Sequence, residues 1–176
     1  LICPFTLAHA FITALDWHPV TGLLLSCSSD RGIIVWKEDA TTKKMMPQLC
    51  NIRELKSNND ACWNMRGDKF CVGAASGHVY TGCYNNVVNL WIATSITNPK
   101  PMHDSPVTSV KFDPLSGRVV ASSSTDGTVI VSSAYDDQMD TAQDQGPFGK
   151  LKSNEILFKF KCTEWVNCVS FSPSGS

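Results

Sequence analysis

Several things are missing from these 176 residues, and each absence excludes a class of function. No Gly-x-x-x-x-Gly-Lys-Ser/Thr phosphate loop, His-Glu-x-x-His metal helix or Gly-x-Ser-x-Gly nucleophile turn occurs, so the usual local signatures of nucleotide, metalloprotease and serine-hydrolase chemistry are lacking. Basic residues are not in excess: the formal net charge is −1, which argues against a nucleic-acid partner. No apolar run approaches the ~18 residues of a membrane-spanning helix. Leu1 to Leu7 is apolar but carries Pro4 and no basic leader, and does not read as a signal peptide. Eight cysteines are present without one Cys-x-x-Cys pair. Cys27, Cys71, Cys83 and Cys168 fall inside strand-like apolar runs, where a free thiol behaves as a small hydrophobe; reduced cysteines and a cytoplasmic compartment are expected, with no metal and no cofactor.

What is present is short β-rich runs divided by turn residues. Phe11–Trp17 is followed by Pro19 and Gly22, then Leu23–Ser28, Asp30 and Gly32, and Ile33–Trp36, the pattern of consecutive hairpins. The unit recurs. Trp17, Trp63, Phe112 and Phe171 end the first run of successive copies at spacings of 46, 49 and 59, and the turn positions Asp30, Ser76 and Asp126 are 46 and 50 apart. A period in the forties with four strands per unit predicts an all-β fold, a partial propeller of four-stranded blades.

Within one unit, a histidine, a second-strand serine, a turn aspartate and a third-strand tryptophan can meet and satisfy one another out of water. The first unit supplies His9, Ser26, Asp30 and Trp36; the third supplies His103, Ser122 and Asp126, with Ser132 in the tryptophan place. These residues are read as structural rather than as acid–base groups. In the second unit Ser76 and Gly82 replace the aspartate and the tryptophan, so its internal cross-link is expected to be absent and its neighbours to hold it. His18 and Asp113, beside the first turns, are expected to face solvent, and His78 to be an exposed loop residue.

The strands are expected near Phe11–Trp17, Leu23–Ser28, Ile33–Trp36 and Gln48–Ile52; Ala61–Trp63, Lys69–Ala74, Val79–Tyr84 and Val87–Ala93; and Val107–Phe112, Arg118–Ser123, Thr128–Ser133 and Ile156–Lys161. Tyr84 to Val87 reads as a tight turn. Blades thus span about 9–52, 58–93 and 103–161 of one domain covering 1–176, with the next blade beginning near 165 and Leu1 to Leu7 as an outer strand of the preceding one. A ring needs ~4–8 blades, so the chain reads as a piece of a longer protein, prone to aggregate alone through its open faces. Ala134 to Asn154 interrupts the third blade. It opens with Asp136, Asp137, Asp140 and Asp144, reads as solvated there, and closes on Pro147, Phe148 and Gly149, a candidate partner contact.

Three stretches carry a narrower likeness: Ala10 to Pro19, Lys69 to Gly73, and Ser133-Ala134-Tyr135 followed by Pro147-Phe148-Gly149. Together they resemble the family of WD-repeat subunits of the actin-related protein 2/3 complex, over about Ala10 to Ser176. Members of that family interrupt one blade with an insertion ending in a similar Pro-Phe-Gly; Lys43-Lys44 and the acidic insertion are departures from it. The resemblance implies the second to fourth blades of a seven-bladed ring and the start of the fifth, in a cytoplasmic, cytoskeletal, non-catalytic scaffold. Its implied partners are the other subunits of the complex and, through regions beyond Ser176, the actin filament. The competing reading is a WD-repeat adaptor of another assembly, such as a substrate receptor or coat component.

Overall fold

A computed structural model describes residues 11–52, 54, 56–97, 99–136 and 148–174. His9, Leu1 to Leu7, Pro147, Asp137, Asp140 and Asp144 lie outside them. The described residues form twelve β-strands and no helix: β1 (Ile12–Trp17), β2 (Leu24–Ser28), β3 (Ile33–Glu38), β4 (Met45–Asn51), β5 (Asn58–Trp63), β6 (Lys69–Ala74), β7 (Val79–Asn85), β8 (Leu90–Ser95), β9 (Val107–Phe112), β10 (Val119–Ser124), β11 (Thr128–Ser133) and β12 (Ile156–Lys161). Each consecutive group of four is an antiparallel meander, as short hairpin connections dictate. The anchors Trp17, Trp63 and Phe112 are the last residues of β1, β5 and β9.

The blades stack face to face. One core lies between the first and second blades, around Leu25, Ile33, Val35, Trp63, Phe70 and Trp91. A second lies between the second and third, around Cys62, Cys71, Met102, Val107, Val110 and Ile130. This explains why β6 is buried along its whole length instead of alternating: Phe70, Val72 and Ala74 enter the first core while Cys71 enters the second.

Equivalent positions of β1, β5 and β9 also bond across the blades. Thr13 Oγ1 donates to Asn58 O at 2.7 Å, Asn59 Nδ2 to Val107 O at 2.8 Å, and Thr108 Oγ1 to Val166 O. Each donor stands four residues before its anchor. Repeating the same contact at the same register imposes the same rotation from blade to blade, the geometry of a propeller.

Some expectations need correcting. The outer strands of the first two blades are joined: β4 pairs in parallel with β8 through Cys50 with Trp91 and Asn51 with Ile92, making one eight-stranded sheet in the order β1-β2-β3-β4-β8-β7-β6-β5. Trp91 Nε1 reinforces the seam by donating to Gln48 Oε1 at 3.0 Å. The turn between β7 and β8 occupies Asn86 to Asn89, later than Tyr84 to Val87; Asn85 Oδ1 accepts from the Val87 and Val88 amides, and Asn89 takes φ 54°. β8 accordingly begins at Leu90, not Val87.

His18 and Asp113 are buried, at 4% and 1% exposure, because they cap the turns after β1 and β9. His18 Nδ1 accepts from the Thr21 amide and its Nε2 lies 3.0 Å from Met65 O in the next blade. Asp113 accepts from the amides of Ser116, Arg118 and Val119. Polar side chains next to a tight turn are drawn inward by unpaired backbone amides.

Candidate interaction site

The third blade's polar network is continuous. His103 Nε2 lies 2.8 Å from Ser122 Oγ and its Nδ1 lies 2.8 Å from Thr128 Oγ1, while Thr128 Oγ1 donates to Asp126 Oδ1 at 2.6 Å. A threonine has one hydroxyl proton, and here the carboxylate takes it. His103 Nδ1–H therefore donates to Thr128, which leaves Nε2 of the neutral ring to accept from Ser122. Asp126 also accepts from the Asp104 and Thr128 amides, closing the turn before β11. Thr128 is a member of this network that the sequence analysis overlooked, although its place two residues after the turn aspartate was visible.

In the first blade Trp36 Nε1 donates to Ser26 Oγ at 2.8 Å, and Asp30 Oδ1 accepts from the Gly32 amide at 2.8 Å. Trp36, at 2% exposure, fills the space beside Leu24, its ladder partner. Ser132 stands at the matching place of the third blade and donates to Val120 O.

The second blade is cross-linked after all, by different residues. Glu54 precedes Ser76 by 22 positions, much as His103 precedes Asp126 by 23. Its carboxylate accepts from Ser76 Oγ, from the Lys56 amide at 2.8 Å, and from Tyr80. Burial and this carboxylate push the Tyr80 phenol up, which keeps it a donor. The missing tryptophan is also replaced. Gly82 pairs with Phe70, and a Cβ on Gly82 would meet Phe70 Cζ at 2.2 Å, so the ring lies where the first blade puts its tryptophan. Phe70 joins Trp63, Tyr84 and Trp91 in a cluster of edge-to-face and tilted rings with centroids 5.4 to 5.7 Å apart. His78 is half-buried rather than exposed, its ring against Tyr80 at 5.8 Å.

Burial holds the His103 ring below the ordinary imidazole value, although Asp126 opposes this. Burial would raise Asp126, but hydrogen bonds from Thr128 and Asp104 bring it below the usual carboxylate range. The unfolded chain therefore binds a proton at histidine before the folded one does, and stability is lost as pH falls below the ordinary histidine range; a second loss follows below the ordinary aspartate range. The urea midpoint is expected to drop between pH 7.5 and 5.5, with His78 adding in the same direction. His103→Gln should flatten that slope; an unchanged slope would remove His103 as its source.

The start of the insertion is fastened to the blades. Lys69 Nζ donates to Ala134 O at 3.3 Å from β6, and the Arg118 guanidinium lies over the Tyr135 ring at 5.8 Å. Of the candidate contact, Phe148 is half-buried, and Gly149 takes φ 72°, where an added Cβ would meet nothing within 4 Å. Among the described residues no cluster of three metal-ligating side chains exists, and no helix is long and apolar enough to cross a membrane.

Residues 2–37 and 98–133 match the family model for the WD domain, G-beta repeat. The degenerate second blade escapes that model, consistent with its substituted cross-link. The chain is 28% identical over 169 residues to actin-related protein 2/3 complex subunit 1 of Schizosaccharomyces pombe, covering 94% of this chain and 43% of the relative. It is 28% identical over 172 residues to subunits 1A-A and 1A-B of that complex from Xenopus laevis, covering 96% of this chain and 45% of each. It spans less than half the length of these relatives. The chain thus carries WD repeats folded as propeller blades, and along nearly its whole length it is similar to subunit 1 of the actin-related protein 2/3 complex.

Proposed function

We propose that this chain is part of a non-catalytic scaffold subunit of the actin-related protein 2/3 complex, supporting nucleation of branched actin filaments. The similarity to subunit 1 across 94–96% of the chain carries the reading. In this reading the units 9–52, 58–93 and 103–161 are neighbouring blades of a larger closed ring whose next blade begins near 165. The half-exposed Leu15 and Trp17 at one end, and Phe158 and Phe160 at the other, are the faces that further blades cover. Ser26, Asp30, Trp36, His103, Ser122 and Asp126, with His9, are then the internal network of single blades and do no chemistry. The partners are the other subunits of the complex, with the actin filament reached through regions outside this stretch, in the cytoplasmic cytoskeleton.

Pro147, Phe148 and Gly149 are the proposed subunit contact, at the far end of an insertion whose start is fixed by Lys69 and Arg118. Deleting these three residues from the full subunit should leave its thermal unfolding unchanged and reduce recovery of the other subunits in a pull-down. Undiminished recovery would reduce the segment to a plain loop. Recovery of a different, stable set of proteins by the intact subunit would favour an adaptor of another assembly.

A further inference from the structure

Two cysteines of the second blade face each other across one hairpin. Cys62 of β5 and Cys71 of β6 are direct ladder partners, and their sulfurs are 3.3 Å apart. Directly opposed residues of an antiparallel pair have Cα atoms about 4.5 or 5.5 Å apart, and both values fall in the range a disulfide spans, about 4.4–6.8 Å. Side-chain direction, the second requirement, is met because both thiols point into the same core between the second and third blades. Both cysteines are free here, at 5% and 0% exposure.

We infer that Cys62 and Cys71 are a latent disulfide site, closed by a small peroxide, which rivets the blade whose second strand has no serine bonded to a histidine or a tryptophan. The location matters as well as the distance. In the first and third blades a polar network ties the second strand to its neighbours, through Trp36 with Ser26 and through His103 with Ser122. The second blade relies on Glu54 and an aromatic cluster, and its β5–β6 hairpin is where the thiols meet. A bond there would fasten the innermost strand to the strand that fills both cores.

The chemistry balances with hydrogen peroxide as oxidant. Cys62, the less enclosed of the two, attacks one peroxide oxygen as thiolate; the O–O bond breaks, a sulfenic acid forms and water leaves. Cys71 then attacks the Cys62 sulfur, the S–O bond breaks and a second water leaves. Two thiols are oxidised by two electrons and one peroxide is reduced to two waters. Burial pushes the Cys71 thiol well above the ordinary value, so its attack on the sulfenic acid needs the same opening of the hairpin that admits the peroxide. With both groups enclosed, the reaction is gated by local opening of the hairpin, so it is slow compared with oxidation of an exposed thiol.

The test is peptide mapping of the folded full-length protein after hydrogen peroxide, with remaining thiols blocked before unfolding. Trypsin separates the pair, since Arg66 and Lys69 lie between them, and Cys62 falls in the peptide 57–66. A linked pair with the mass of two peptides less two hydrogens is expected. The second peptide also contains Cys83. The link should therefore vanish in Cys71→Ser and in Cys62→Ser but persist in Cys83→Ser. Oxidation should raise Tm by about 5 °C, reversibly with dithiothreitol, and should not do so in Cys62→Ser. Cys62 and Cys71 still free after peroxide exposure longer than the time in which the β5 and β6 amides exchange their hydrogens would overturn the proposal. So would a link that forms only in denaturant, or one that survives in Cys71→Ser.

Discussion

Replacing Trp36 with alanine is expected to destabilise the protein by ~3–5 kcal/mol, the range for deleting a large buried aromatic. The indole is almost fully enclosed and its Nε1 donates to Ser26 Oγ at 2.8 Å, so the substitution removes both packing and a buried hydrogen bond. Trp36→Phe separates the two effects: it keeps most of the packing and loses the donor, and should cost roughly 1–2 kcal/mol. Urea melts measure both. A loss below ~1 kcal/mol for the alanine variant would mean that Trp36 does not lie inside a blade.

Gly77→Ala is expected to cost about 2–4 kcal/mol, much more than the same change at Gly22. Gly77 has φ 86°, and an added Cβ would stand 2.2 Å from the carbonyl oxygen of His103. That obstacle is backbone, which cannot rotate aside. Gly77 O also accepts from the amides of Met102 and His103, so the loop entering the third blade is docked on this glycine. Moving it would carry His103 away from Ser122 and Thr128. Gly22 has φ 69° with nothing within 4 Å of its added Cβ, so alanine there meets only the left-handed backbone penalty of about 1 kcal/mol. Equal losses at the two glycines would show that the contact at Gly77 adds nothing.

The repeat was legible because it is written at fixed offsets. Anchors at the ends of β1, β5 and β9, glycine turns, and a polar residue at each third-strand entry are local features, and local features survive in one dimension. The second blade was harder to read. Its aromatic stands on β6 instead of β7, and only the ladder register Phe70 with Gly82 shows that the two positions share one space. Glu54 was visible in principle, 22 residues before Ser76, but a carboxylate in a histidine's place does not announce itself. Burial of His18 and Asp113 was misjudged because a polar residue beside a turn looks solvated until the turn's amides are counted.

The order of residues alone determined the all-β class, the forty-odd period, four strands to a unit and the absence of familiar catalytic motifs. These depend on side-chain alternation and turn chemistry, which act over a few positions. Tertiary structure decided the parallel seam between β4 and β8 and the bonds passed from each inner strand to the next blade. Those depend on how two distant stretches are rotated about a common axis, and packing of whole faces sets that rotation.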